Sequence, residues 1–266
     1  MNRTERTAVT IILTLCALSA LLLFALFARP FITGTAEPHT HDPSYIAFFE
    51  SLALRTVLSG VHVFILLAGG ASIFFIFRKS NYPEFSFYTF SMISFAGISV
   101  FNLTPLLTEL GYPAAASSAA LRLFMVFWCL GTCSACTAGL FSNGVSSRKQ
   151  LTFFIAALSA SVIVSVTVPL DSWLMLDNFP FVWRASGTFW WAIRCIGLLG
   201  VLNFAAAAVR NGSSRYYAAA GGLAAMLIGN DLFFIPEIPA AVIGSLLIAL
   251  GTALYSMTIY REYMWT

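Results

Sequence analysis

The feature that most constrains this chain is a close succession of continuous apolar runs, each about 20 residues long. A helix of this length crosses roughly 30 Å of hydrocarbon at about 1.5 Å per residue. Because the runs do not alternate polar and apolar residues, helices are favoured over the strands of a membrane barrel. The sequence therefore predicts an all-α, polytopic transmembrane bundle of about eight helices, at approximately 8–28, 56–77, 86–107, 120–141, 151–170, 187–209, 216–235 and 239–260.

Composition supports a membrane protein. The chain is 59% hydrophobic and 9% charged, whereas soluble domains carry roughly 25% charged residues. So few charged groups cannot cover a soluble core, but a bilayer solvates apolar surface directly. Sparse charge and only five cysteines exclude a disordered chain, a nucleic-acid binder and a disulfide scaffold. We expect one integral domain over residues 1–266 in the cell membrane, with the lipid bilayer as its main partner.

The distribution of basic residues predicts the orientation. Cytoplasmic loops are enriched in Lys and Arg, and nine of the 14 basic residues fall on one side: Arg3, Arg6, Arg78, Lys79, Arg148, Lys149, Arg210, Arg215 and Arg261. Both termini are therefore predicted to be cytoplasmic. Aromatic residues near the two predicted interfaces, Tyr88 and Trp190 among them, resemble the belts of membrane helices.

The predicted organisation has three parts. Residues 1–28 form an N-terminal anchor helix, which is favoured over a cleaved signal peptide because its apolar run is longer than a signal core. Residues 29–55 form an extracytoplasmic loop, and residues 56–266 form a seven-helix bundle. Within the loop, Asp42-Pro43 predicts a helix start, since Asp caps helices and Pro fits their first turn.

Polar side chains inside the predicted spans define the candidate site, because charges in a bilayer are costly and are often functional. His62, Arg194 and Asp231 each lie 16 residues from a basic residue at the cytoplasmic surface, which puts them roughly 24 Å above it. Asn102 and Asn230 reach about the same height. Four spans thus contribute to one polar layer in the outer part of the bundle.

Cations near this layer predict the ligand. Arg55, Ser59 and His62 recur at i, i+4 and i+7, so they share one helical face. Arg122 lies near the outer end of its span. These residues predict an outward-facing pocket for a small anion, whose binding strengthens when His62 is protonated. The candidate ligand-binding residues are Arg55, Ser59, His62, Asn102, Arg122, Arg194, Asn230 and Asp231.

Several of these residues also have a structural interpretation. Arg194 and Asp231 lie at equal distances from the turn that joins their helices, so in an antiparallel hairpin they can pair and lock the helices together. His62 can be a packing residue. Asn102 can serve backbone groups that are freed by the nearby Pro105.

Enzymatic signals are weak. Cys133-Ser-Ala-Cys136 has the spacing of a redox or metal motif, but its small neighbours favour helix packing. The predicted spans contain no Lys for a retinal Schiff base, and the chain has neither a phosphate-binding loop nor a His-Glu-x-x-His motif. We expect no cofactor, no metal and no catalytic residues.

Three functions stay open. The first is a seven-helix sensor or receptor-like module, similar in topology only to the sensor regions of bacterial signalling proteins, with a partner protein supplying the output. The second is a small-solute transporter, for which Gly69-Gly70 and Gly221-Gly222 could loosen two spans, although transporter sites usually lie nearer the midplane. The third is a structural or assembly subunit, in which the polar residues only pack.

Overall fold

The computed structural model describes residues 43–77, 83–102, 107, 112–168, 187–233 and 238–264. Within them all regular structure is helical, which confirms the all-α prediction. The predicted helix at 8–28 lies outside this set. The seven α-helices are α1 Pro43–Phe77, α2 Pro83–Gly97, α3 Ala114–Ser142, α4 Gln150–Thr167, α5 Gly187–Asn211, α6 Arg215–Phe233 and α7 Ile238–Met264; short 3-10 helices lie at Ile98–Asn102 and Ser147–Lys149.

Six of these helices, α1 to α5 and α7, are long and apolar enough to cross a membrane. They support a transmembrane protein. The remaining helix, α6, coincides with a predicted span, but its glycines and tyrosines and the pair Asn230-Asp231 lower its mean hydropathy. The count of eight spans and the cytoplasmic location of both termini stay predictions.

Helix α1 is longer than the span predicted for it. It begins at Pro43, as the Asp42-Pro43 pair predicts, and runs without interruption to Phe77. Residues 43–55 of the predicted loop are therefore helical. At 1.5 Å per residue, 35 residues extend about 52 Å, which exceeds the hydrocarbon thickness. The first turns of α1 thus continue beyond the apolar run.

Six helices form a closed ring in the order α1, α2, α3, α5, α6 and α7, with α7 packing back on α1. Helix α4 packs on the outside of α3. The span at Pro83–Phe101 is formed by α2 and its 3-10 extension and is the most enclosed. In its apolar stretch 89% of the residues are buried, against 17% in α4. The interior of the bundle is therefore built around α2, while α4 keeps most of its surface for lipid.

Helices α6 and α7 approach most closely through glycines spaced seven residues apart. Gly222 lies opposite Gly251, and Gly229 lies opposite Gly244. A Cβ atom on Gly229 would lie 2.6 Å from the carbonyl oxygen of Gly244, closer than van der Waals contact allows. The absence of side chains lets the two backbones touch, as in other membrane helix pairs. This pairing also shows that α6 and α7 are antiparallel.

Candidate functional site

The predicted polar layer divides into an interior part and a surface part. His62 and Asn230 are buried, with 0% and 1% of their surfaces exposed. Arg194 and Asp231 lie on the outer surface of the bundle, with side chains 40% and 29% exposed. Residues at similar heights therefore face different surroundings.

His62 projects from α1 and contacts α6. Its ring packs edge-on against the ring of Phe233, with centroids 4.7 Å apart. Neither Nδ1 nor Nε2 has a hydrogen-bond partner among the described residues. Buried polar groups are normally hydrogen-bonded to protein, water or ligand. His62 is therefore the strongest candidate for a binding group, and Ser59, almost one turn away, is also buried.

Asn230 lies on the same side of α6 as Phe233, three residues away. Its Nδ2 donates a hydrogen bond to the carbonyl oxygen of Met226, at 3.0 Å. Since a carbonyl can only accept, this bond fixes which amide atom is Nδ2. The other atom, Oδ1, is buried and has no hydrogen-bond partner in the described part of the chain. Because Phe233 contacts His62 and lies almost one turn from Asn230, we group the buried residues Ser59, His62 and Asn230 and call them the interior cluster.

Arg194 and Asp231 form the ion pair that their positions in the sequence predict. The Nε atom of Arg194 lies 2.8 Å from Oδ2 of Asp231, so the pair joins α5 to α6. The guanidinium carbon of Arg194 also lies 5.6 Å from the ring centroid of Trp191. The charge of Arg194 is therefore neutralised at the bundle surface.

Arg122 contacts α4. Its Nη1 donates hydrogen bonds to the carbonyl oxygens of Ser165 and Val166, at 2.6 and 3.1 Å. The last carbonyls of a helix lack intrahelical partners and carry partial negative charge. The Arg122 guanidinium thus caps α4 in a role that the sequence did not predict.

Two predicted site residues have side chains outside the described set. Arg55 belongs to α1, seven residues before His62, and Asn102 ends the 3-10 helix that follows α2. Their contribution to a pocket stays a prediction.

A buried group of aromatic side chains, which the sequence did not predict, lies in the half of the bundle interior that the predicted orientation makes the outer half. Trp128 of α3 packs against Trp190 of α5, with centroids 4.6 Å apart. Phe124 contacts both rings, and Phe101 contacts Phe124. Trp190 is 3% exposed, so it is a core residue and its assignment to an interfacial belt is wrong.

A second group of packed side chains lies in the half of the ring interior that is predicted to be cytoplasmic. The rings of Tyr88 and Tyr255 are stacked with an interplanar angle of 5°, and Phe204 packs edge-on against Tyr255. The Tyr88 hydroxyl donates a hydrogen bond to Sδ of Met226. We call these four residues the aromatic plug. Tyr88 is 0% exposed, so its assignment to an interfacial belt is also wrong.

A second arginine caps a neighbouring helix at the predicted cytoplasmic side. Arg210 of α5 donates a hydrogen bond to the carbonyl oxygen of Asn143, the residue that ends α3. The Asn143 Nδ2 in turn donates to the carbonyl oxygen of Asn203, at 2.6 Å. From the sequence, Arg210 contributes only to the predicted orientation, and its role as a cap was not predicted.

The cysteines of the described region are free thiols: Cys129, Cys133, Cys136 and Cys195. Within that region no group of three His, Cys, Asp or Glu side chains is arranged to hold a metal ion.

Comparisons with protein-family models, with curated proteins and with solved structures find no match for this chain. The functional proposal below therefore rests on the geometry of the described residues, above all on the interior cluster.

Proposed function

We propose that the chain is a seven-helix, receptor-like module of the cell membrane that binds a small polar solute from the extracytoplasmic side. The observation that carries this proposal is His62, whose two ring nitrogens are buried without a described hydrogen-bond partner. A second unpartnered atom, Oδ1, belongs to Asn230, which lies three residues before Phe233 on α6, and the Phe233 ring contacts His62. A bound solute would supply the missing hydrogen bonds, whose absence costs about 1–3 kcal/mol for each buried group.

The plug favours a receptor over an open permeation path. Tyr88, Phe204, Met226 and Tyr255 fill the ring interior between the interior cluster and the predicted cytoplasmic side. A solute would therefore reach and leave His62 from the extracytoplasmic side only. A partner protein would carry the signal onward.

A transporter is the second candidate, and one feature of α1 supports it. Gly69 and Gly70 pack against Thr252 and Thr89, respectively. The hydroxyls of both threonines are buried without hydrogen-bond partners among the described residues. Glycines beside unsatisfied hydroxyls mark a place where α1 could bend and open the plug.

The contacts of the predicted cationic site residues bear on the charge of the solute. Arg194 is neutralised by Asp231, and Arg122 is engaged at the end of α4. The anionic ligand expected from the sequence would therefore rely on Arg55 and on protonation of His62.

Cysteine accessibility tests the proposal. Ser59→Cys places a thiol in the interior cluster, and Val57→Cys places one on the adjacent outer face, where Val57 is 62% exposed. Only a hydrated thiol forms the reactive thiolate. We expect an impermeant thiosulfonate, added to intact cells, to modify Ser59→Cys at least tenfold faster than Val57→Cys.

The side of reaction separates the candidates. Reaction of Ser59→Cys from outside only supports the receptor. Reaction from both sides, measured in right-side-out and inside-out vesicles, supports the transporter. Reaction from neither side would contradict both and leave a structural subunit.

A further inference from the structure

The unpartnered atom of Asn230 limits which ligands the interior cluster can accept. Its Nδ2 is used by Met226, and the remaining Oδ1 can only accept hydrogen bonds. Any group that satisfies this atom must be a donor. A carboxylate or phosphate oxygen would instead face the lone pairs of Oδ1 and be repelled.

Neutral His62 provides a second acceptor. One ring nitrogen of a neutral imidazole donates a hydrogen bond and the other accepts one. The unpartnered atoms of the cluster are then two acceptors, Asn230 Oδ1 and one His62 nitrogen, and one donor, the other His62 nitrogen. A ligand with several N–H groups matches this set, whereas an anion requires donors on the protein.

The charged residues of the surrounding helices lie at a distance along their helices or are engaged in other contacts. On α1 the nearest ionisable neighbour is Arg55, about two turns away. Glu84 is the only charged residue of α2 and lies in its first turn. Helix α7 has no charged residue between 238 and 258. Asp231 of α6 pairs with Arg194 of α5 at the surface, and Arg122 of α3 caps α4. Phe233 adds an aromatic ring beside His62, and aromatic faces attract cations.

We infer that the ligand of the interior cluster is a small organic ammonium with an apolar body. Its N–H groups donate to Asn230 Oδ1 and to neutral His62, and its body packs among the aromatic side chains of the outer half. This inference rests on the proposed function, and it replaces the anion by a ligand of opposite charge.

Three probes with one aromatic body and different end groups test the charge class. They are 2-phenylethylamine, 2-phenylethanol and 3-phenylpropanoate, added to the full-length protein in detergent. Binding to the folded state raises the melting temperature according to ligand concentration and Kd. We expect the amine to bind at least tenfold more tightly than the carboxylate, because the unpartnered acceptors of the cluster bind N–H groups and repel a carboxylate.

Two substitutions assign the binding to the cluster. Asn230→Asp adds a negative charge beside the ammonium and should tighten amine binding about tenfold, a change of about 1.4 kcal/mol. Asn230→Leu should weaken it by a similar factor. Ser161→Ala, which removes a buried hydroxyl bonded within α4, is the control and should leave affinity unchanged.

The outcomes test the ligand class and the existence of the site separately. Tighter binding of the carboxylate would overturn the ammonium and keep the site. Tighter binding of the alcohol would likewise overturn the need for a charge. Absence of stabilisation by all three probes at millimolar concentration, in a protein whose Ser59→Cys variant is reactive from outside, would overturn the ammonium class alone. The same absence with an unreactive Ser59→Cys would overturn the site itself.

Discussion

Adjacent glycines on α6 should respond in opposite directions to the same substitution. A Cβ atom on Gly222 would lie 2.8 Å from the carbonyl oxygen of Gly251 and 3.1 Å from the backbone nitrogen of Tyr255. A Cβ atom on Gly221 would have no heavy atom within 4 Å. Gly222→Ala therefore forces α6 away from α7, whereas Gly221→Ala meets open space.

The magnitude follows from these distances. Ordinary contact begins near 3.4 Å, so the Gly222 Cβ requires a separation of about 0.6 Å from atoms that belong to the backbone of α7. Overpacking of this kind costs about 1–3 kcal/mol. Alanine also stabilises a helix relative to glycine by up to about 1 kcal/mol, and this gain applies to both variants. We expect Gly222→Ala to be about 1–3 kcal/mol less stable than Gly221→Ala.

Reversible unfolding in mixed detergent micelles would measure this difference, with helicity followed as the protein is titrated with a denaturing detergent. Because both variants carry the same added methyl group on the same helix, differences in helix propensity cancel. Equal stability of the two variants, within about 0.3 kcal/mol, would show that α6 and α7 do not touch through Gly222. Gly229→Ala should behave like Gly222→Ala.

Three further predictions test the ion pair, the helix cap and the orientation. Asp231→Asn should destabilise the bundle by about 2 kcal/mol, less than a fully buried pair because both side chains are partly exposed; exchanging Arg194 and Asp231 should recover much of this loss in thermal melting, and a wild-type melting temperature for Asp231→Asn would show that the pair contributes nothing. Arg210→Gln should cost about 1 kcal/mol through the lost cap on α3, seen as faster amide hydrogen exchange at that helix end, and unchanged exchange would contradict the cap. A cysteine at Tyr112, which is 55% exposed, should react with an impermeant thiol reagent in intact cells, and one at Ser213 only after permeabilisation; the reverse pattern would invert the topology.

Local features of the sequence were sufficient to predict the helices and one of their contacts. Continuous apolar runs predicted the described helices, because a backbone in lipid must satisfy its own hydrogen bonds. The start of α1 followed from Asp42-Pro43. The Arg194–Asp231 pair followed from equal distances to one short turn, since antiparallel neighbours joined by such a turn keep their register.

Only the tertiary structure decided which side of each helix faces inward. In a soluble helix the apolar face identifies the core. Here lipid and core are both apolar, so the hydrophobic pattern does not indicate which side of a helix faces the core. Tyr88 and Trp190 could therefore be assigned to interfaces although both are buried. Arg122 could likewise be assigned to a pocket although it caps α4. The interior cluster depends on the order of the helices in the ring, because this order brings α1 and α6 together across the bundle. His62 and Phe233, which make this contact, are 171 positions apart in the sequence.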